Sequence, residues 1–187
     1  MRGNRFKPLT WEALSPAQLK MANEVMAGKR GSMQGPYNVL LRSPELGNLA
    51  QQFGEHTRFN SSLPLVLNEL AILMVARFWT CQFVWWAHRR IALQAGLDEA
   101  LIQAIATGQD PQNLAVDVLA VFGFCNELLQ TRAVSNTTYA VAIQRFGEAG
   151  VVDLMGTMSY YTLVCMSLNV DQYPLPDGAT PELKPCR

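Results

Sequence analysis

The stretch from Glu69 to His88 constrains this chain more than any other, because an almost unbroken apolar run holds a carboxylate at its start, a thiol in its middle and an imidazole at its end. Its apolar part, Leu70 to Ala87, is about 18 residues long, near the minimum for a transmembrane helix, but Arg77 would sit at mid-depth and Thr80 and Gln82 add polar cost. A buried region of an all-helical domain, or an oligomer interface, accommodates it better. On one uninterrupted helix Glu69 and His88 would stand roughly 28 Å apart along the axis. Trp79, Thr80 and Cys81 are poor helix formers, so the break is expected there, with Pro64 to Phe78 and Gln82 to Ala95 as two helices turned toward each other. That break puts Cys81 at a helix N-terminus, where partial positive charge lowers a thiol pKa. Cys81 and His88 then share a helix face but lie roughly 10 Å apart, with Val84 and Trp85 between them.

The remaining sequence reads as further helices with local start and stop signals. Ser15-Pro16 and Ser43-Pro44 each look like an N-cap followed by proline at the first helical position, opening helices to about Ala27 and Phe59. A short helical piece is expected over Tyr37 to Leu41, and others over Leu97 to Thr107, Asn113 to Thr131, Thr137 to Phe146 and Glu148 to Asn169. No alternating strand pattern of useful length is present. The Gly28 to Gly35 loop lacks the order of a phosphate-binding loop and has no preceding strand. The reading is one all-α domain over 1–187, with an N-terminal arm over 1–14 and an extended tail over 170–187 that carries the turn-rich Pro174 to Gly178.

Balanced charge, with 15 basic and 15 acidic residues, gives no footprint for nucleic acid. The basic first residues lack the apolar core of a secretory signal, so a cytoplasmic protein without membrane attachment is expected. The four cysteines, Cys81, Cys125, Cys165 and Cys186, have no CxxC spacing, which favours reduced thiols over a disulfide framework or a zinc ribbon. With only two histidines in the chain, His56 and His88, few constellations of ionisable groups compete with the central one. His56 follows Glu55 on a helix and reads as a solvated position. Spacing alone leaves two readings of the centre: Glu69 orients His88 for proton transfer, or Glu69 pairs with Arg77 or a helix end while His88 is a satisfied core residue.

The order Glu69, Cys81, His88 resembles the carboxymuconolactone decarboxylase and alkylhydroperoxidase D-like family. Gly35-Pro36-Tyr37-Asn38-Val39-Leu40-Leu41, Ser43-Pro44-Glu45-Leu46, Asn68-Glu69-Leu70-Ala71-Ile72-Leu73, Ala76-Arg77, Gln82-Phe83 with Trp85, and Pro174 to Gly178 are similar to its decarboxylase-type branch. The resemblance implies an all-α subunit in a homotrimer or hexamer, with a pocket near the subunit interface. It also departs at one place. Val84 stands where hydroperoxidase members have a second cysteine and where decarboxylase-type members have an acid, so the family's internal disulfide cannot form there.

These readings converge on a cofactor-independent lyase acting on a small carboxylated lactone or ring acid, of the kind met in aromatic compound catabolism. Loss of CO2 needs an electron sink in the substrate and a proton donor, which His88, oriented by Glu69, supplies without a metal or organic cofactor. Arg77 or Arg42 would hold a substrate carboxylate, and Trp85, Trp86 and Tyr161 would exclude water. One alternative is a peroxiredoxin-like thiol peroxidase in which Cys81 attacks a hydroperoxide and is resolved by Cys165, Cys125 or an external thiol. Another is a non-catalytic oligomer that binds an apolar small molecule along Met155, Met158, Tyr160, Tyr161 and Met166.

Overall fold

The computed structural model describes residues 1–184, so Cys186 lies outside the described residues. A single 3-10 turn, Trp11–Ala13, precedes α1 (Pro16–Ala27), α2 (Tyr37–Leu40), α3 (Pro44–Phe59), α4 (Leu65–Phe78), α5 (Gln82–Gln94), α6 (Glu99–Thr107), α7 (Val116–Thr131) and α8 (Asn136–Asp171). No strand occurs among the described residues, so the fold is all-α as expected.

Local chemistry explains where most elements begin. Ser15 and Gln18 form a reciprocal capping box at the start of α1, and Pro16 sits at its first position. Asp98 caps α6 by accepting from the Ala100 amide at 2.8 Å, which leaves Leu97 outside the helix. α7 starts at Val116 rather than Asn113, because Asn113 takes a left-handed conformation with φ +57°. Within α8, Gly147 has φ 66° and ψ 179°, a conformation that interrupts helical geometry and that only glycine adopts without strain. The interruption falls between the two helices expected over 137–146 and 148–169.

α4 is the axis of the molecule. Every residue from Leu67 to Ala76 is buried, and α5, α6, α7 and α8 all pack against this helix. Inside this apolar cylinder Asn68 is held at both ends of its amide. Asn68 donates to the Thr57 carbonyl at 2.8 Å and accepts from the Thr157 hydroxyl at 2.7 Å, tying α3, α4 and α8 together. A second, smaller core joins α1, α2 and α3 through Met21, Val25, Tyr37, Leu41 and Ala50. The N-terminal arm is fixed by Asp171, whose Oδ1 accepts from the amides of Asn4 and Phe6 at 3.1 and 2.8 Å.

The chain reverses between α4 and α5 where the sequence suggested. Thr80 takes a left-handed φ of 47°, its amide donates to the Arg77 carbonyl at 3.0 Å, and the Cys81 amide donates to the Ala76 carbonyl at 2.8 Å. This is a Schellman closure with threonine in the place glycine prefers. The apolar stretch 70–87 is therefore two helices. Among the described residues the one helix long and apolar enough to span a bilayer is α8, half buried over its most apolar window and serving as a wall of the bundle.

Candidate active site

The reversal at Thr80 lays α5 back along α4, so that two residues nineteen positions apart meet: His88 Nδ1 lies 2.7 Å from Glu69 Oε2. Glu69 is fully buried and His88 is 6 % exposed. A carboxylate only accepts, so Nδ1 carries the shared hydrogen and Nε2 is left for the cavity that His88 lines. The Tyr161 ring of α8 meets the imidazole edge-on, with centroids 4.8 Å apart. Burial pushes the Tyr161 phenol far above its ordinary pKa, so it stays protonated. Glu69 Oε1 and Tyr161 Oη are both buried with no hydrogen-bond partner among the described residues. Both atoms belong to residues in contact with the His88 imidazole and leave hydrogen-bonding capacity unused there.

His88 opens on a cavity of about 240 Å³ between α5, α8, the end of α3 and the loop before α2. Val84, Ala87 and Ile91, on the same face of α5 as His88, form its apolar floor. Three guanidinium groups line it: Arg30 from the loop, Arg58 from α3 and Arg90 from α5. Arg30 is held over the Tyr37 ring at 5.4 Å and reaches the Tyr160 hydroxyl at 3.5 Å, while Arg90 stacks over Trp86 at 5.2 Å. Burial opposes the Arg30 charge, but the surrounding Tyr160, Tyr37, Tyr161 and Glu55 more than offset it. The loop that carries Arg30 is anchored by Gly35, whose amide donates to the Tyr173 hydroxyl at 3.2 Å.

Of the residues singled out from sequence, the structure brings His88, Glu69 and Tyr161 together. It does not bring Arg77, Arg42 or Trp85 to this cavity. Arg77 donates to the Lys184 carbonyl at 3.0 Å, and Arg42 donates to the Lys7 carbonyl and lies over the Phe6 ring. The Trp85 indole is buried on the other side of α5, where its Nε1 donates to Glu182 at 3.0 Å. Trp86, its neighbour, is the tryptophan that lines the cavity. Cys81 caps α5 but does not line the cavity; Val84 stands on that wall instead. His56 is bound to Asp153 at 3.3 Å on the surface.

Sequence reasoning missed Arg30, Arg58 and Arg90, and named Tyr160 only as lining for an apolar ligand. Arg90, two positions after His88, had no such signal, because that spacing does not put two side chains on one helix face, and Arg30 sat in a loop weighed only for phosphate binding. Arg58 carries no local signature; only the packing of α3 on α8 aims it here. Among the described residues no group of three His, Cys, Asp or Glu side chains is placed to hold a metal ion.

Residues 44–125 match the carboxymuconolactone decarboxylase family. The matched segment runs from the start of α3 to Cys125 in α7 and contains Glu69, Cys81 and His88, with Arg58 and Arg90 of the cavity wall. Arg30, Tyr160 and Tyr161 come from outside it, so the cavity combines the family segment with this chain's own flanking elements. No curated protein matches the chain.

Proposed function

We propose that the chain is a lyase of the carboxymuconolactone decarboxylase type, which uses His88 for proton transfer on a small carboxylated lactone or ring acid. The observation that carries this reading is the buried Glu69–His88 pair opening on a small cavity ringed by Arg30, Arg58 and Arg90. Three guanidinium groups around about 240 Å³ favour a compact anion with more than one acidic or carbonyl oxygen. In such a substrate the bond to the departing CO2 breaks, its electron pair enters the conjugated lactone carbonyl, and a guanidinium steadies the oxygen that gains charge. A proton then returns to carbon from Nε2 of His88, which enters this step doubly protonated, with its Nδ1–H held and its ring oriented by Glu69. Tyr161, held protonated, offers a further donor to the same oxygen.

The test is CO2 release from a panel of carboxylated five- and six-membered lactones by wild-type protein, His88→Gln and Glu69→Gln. Turnover that falls at least a hundredfold in folded His88→Gln fits general acid catalysis. Binding of the lactones with no CO2 release, or release unchanged in His88→Gln, would overturn the reading in favour of a binding protein. Self-association belongs to the same proposal. α3 and α8 pack together yet leave Leu46, Leu49, Val152 and Met155 exposed, which supports a homo-oligomeric subunit, checked by light scattering on the eluted protein.

A further inference from the structure

The glycine-rich segment from Gly28 to Gly35 joins α1 to α2 and walls one side of the His88 cavity, which Arg30, Ser32, Gln34 and Gly35 line from this loop. Its backbone is held at the ends and hardly between them. The Gly31 amide donates to the Gly28 carbonyl and the Gly35 amide to the Tyr173 hydroxyl, both at 3.2 Å. Among the described residues no backbone group from Lys29 to Gln34 bonds to another element. A segment with so few backbone bonds opens at lower cost than the helices around it. Gly31 and Gly35 bound most of that stretch at φ +57° and +85°, a region that favours glycine, so its closed position is set at two points of easy rotation. Side chains complete the closure. Lys29 Nζ donates to Asn60 Oδ1 at 2.8 Å, Met33 packs against the smaller core, and Arg30 is held by the Tyr160 hydroxyl and the Tyr37 ring rather than by a salt bridge. Tyr173 is the fixed point: its amide donates to the Leu168 carbonyl at 2.9 Å, and its ring meets Phe83 of α5 edge-on with centroids 4.6 Å apart. Phe83 also lines the cavity, and a Cβ on Gly35 would stand 3.7 Å from its ring, so loop and α5 meet there.

We propose that residues 29–35 are a lid over the His88 cavity, latched by the Tyr173 hydroxyl on the Gly35 amide, and that its opening lifts Arg30 away from Tyr160 and admits small molecules to His88. Closing returns the guanidinium to the cavity wall, so a bound anion is met by a charge that arrives with the lid. Tyr173 is thus a positioning residue that acts through the loop and touches no ligand itself. The lid rests on the His88 cavity being the site of the proposed reaction, but its test uses no substrate, so the lid and the lyase reading can fail separately.

Two substitutions loosen the lid in different ways. Gly31 is exposed and a Cβ there meets nothing within 4 Å, so Gly31→Ala burdens the closed backbone without touching the packing. Tyr173→Phe removes the latch oxygen and keeps the ring against Phe83. The reporter is Ala87→Cys, which puts a thiol on the cavity wall of the full chain, alkylated with iodoacetamide and followed by peptide mass spectrometry. Alkylation of the introduced thiol is expected to run about fivefold or more faster once Gly31→Ala or Tyr173→Phe is added. Cys125, wholly buried on α7, should stay protected in all three proteins. Equal rates at position 87 in the three proteins would overturn the proposal, because the cavity would then be open at all times or entered elsewhere. A rise at Cys125 in step with position 87 would overturn it too, since that reports unfolding of the whole domain. Should Tyr173→Phe fail to fold, Gly31→Ala decides alone.

Discussion

Replacing His88 with phenylalanine tests the central pair on stability alone, without any substrate. The imidazole donates to a carboxylate that is fully buried, and the other oxygen of that carboxylate, Oε1, has no partner to fall back on among the described residues. His88→Phe therefore strands a buried carboxylate, and breaking a buried pair in this way costs about 3–5 kcal/mol. For a domain of this size that lowers the thermal midpoint by on the order of 10 °C. Glu69→Gln is milder, because the amide oxygen still accepts from Nδ1 and only the charge-assisted part of the bond is lost, about 1 kcal/mol. Glu69→Leu with His88→Phe leaves no polar group unpaired, and should lie within about 2 kcal/mol of wild type. Urea unfolding followed by tryptophan fluorescence gives all three values, and adding the Glu69→Leu single variant closes the cycle and gives its coupling energy. A His88→Phe variant within about 1 kcal/mol of wild type, with an unchanged urea slope, would refute the reasoning. It would mean that Glu69 finds water or another donor as soon as the imidazole is gone.

Four further outcomes follow from the same geometry. Arg58→Gln and Arg90→Gln should each raise KM for a carboxylated substrate about tenfold or more with little loss of kcat, whereas Arg42→Gln should leave KM unchanged; steady-state kinetics on the four proteins decides. Gly54→Ala would push a methyl group into the buried Tyr160 ring, within 2.6 Å of Cε2, and should cost about 1–3 kcal/mol or more in urea unfolding. Gln82→Ala removes the side chain that accepts from the Glu182 and Leu183 amides and donates to the Leu183 carbonyl at 3.1, 3.2 and 2.7 Å, so limited proteolysis should clip the C-terminal tail several-fold faster. Asp153 carries the fourth: burial raises its carboxyl, but the Ser62 amide and hydroxyl, with His56, outweigh burial and hold it below the ordinary value. Its stabilising contribution is complete above pH 3.8 and is lost as pH falls through the lower folded value, so wild type and Asp153→Asn should converge in stability at acid pH.

Much of this protein is written locally. Ser15-Pro16, the Ser43-Pro44 start, Gly147 and the weak helix formers around Thr80 mark element ends by side-chain capping, ring geometry and backbone conformation, forces that act over a few residues. The spacing of Glu69, Cys81 and His88, with a break between them, likewise follows from helix arithmetic. The substrate-facing wall could not be read that way. Arg30 reaches the cavity because Tyr37 stacks beneath it, Arg58 because α3 packs on α8, and Arg77, Arg42 and Trp85 are drawn off by the C-terminal tail and the N-terminal arm. By itself the sequence determined most of the helices and the break that lets Glu69 and His88 turn toward each other, because both depend on short spacings along one chain. That Glu69 takes His88 as its partner, and which arginines surround the pair, only the tertiary structure decided, because those contacts join segments up to 130 residues apart whose meeting depends on how whole helices bury their apolar faces.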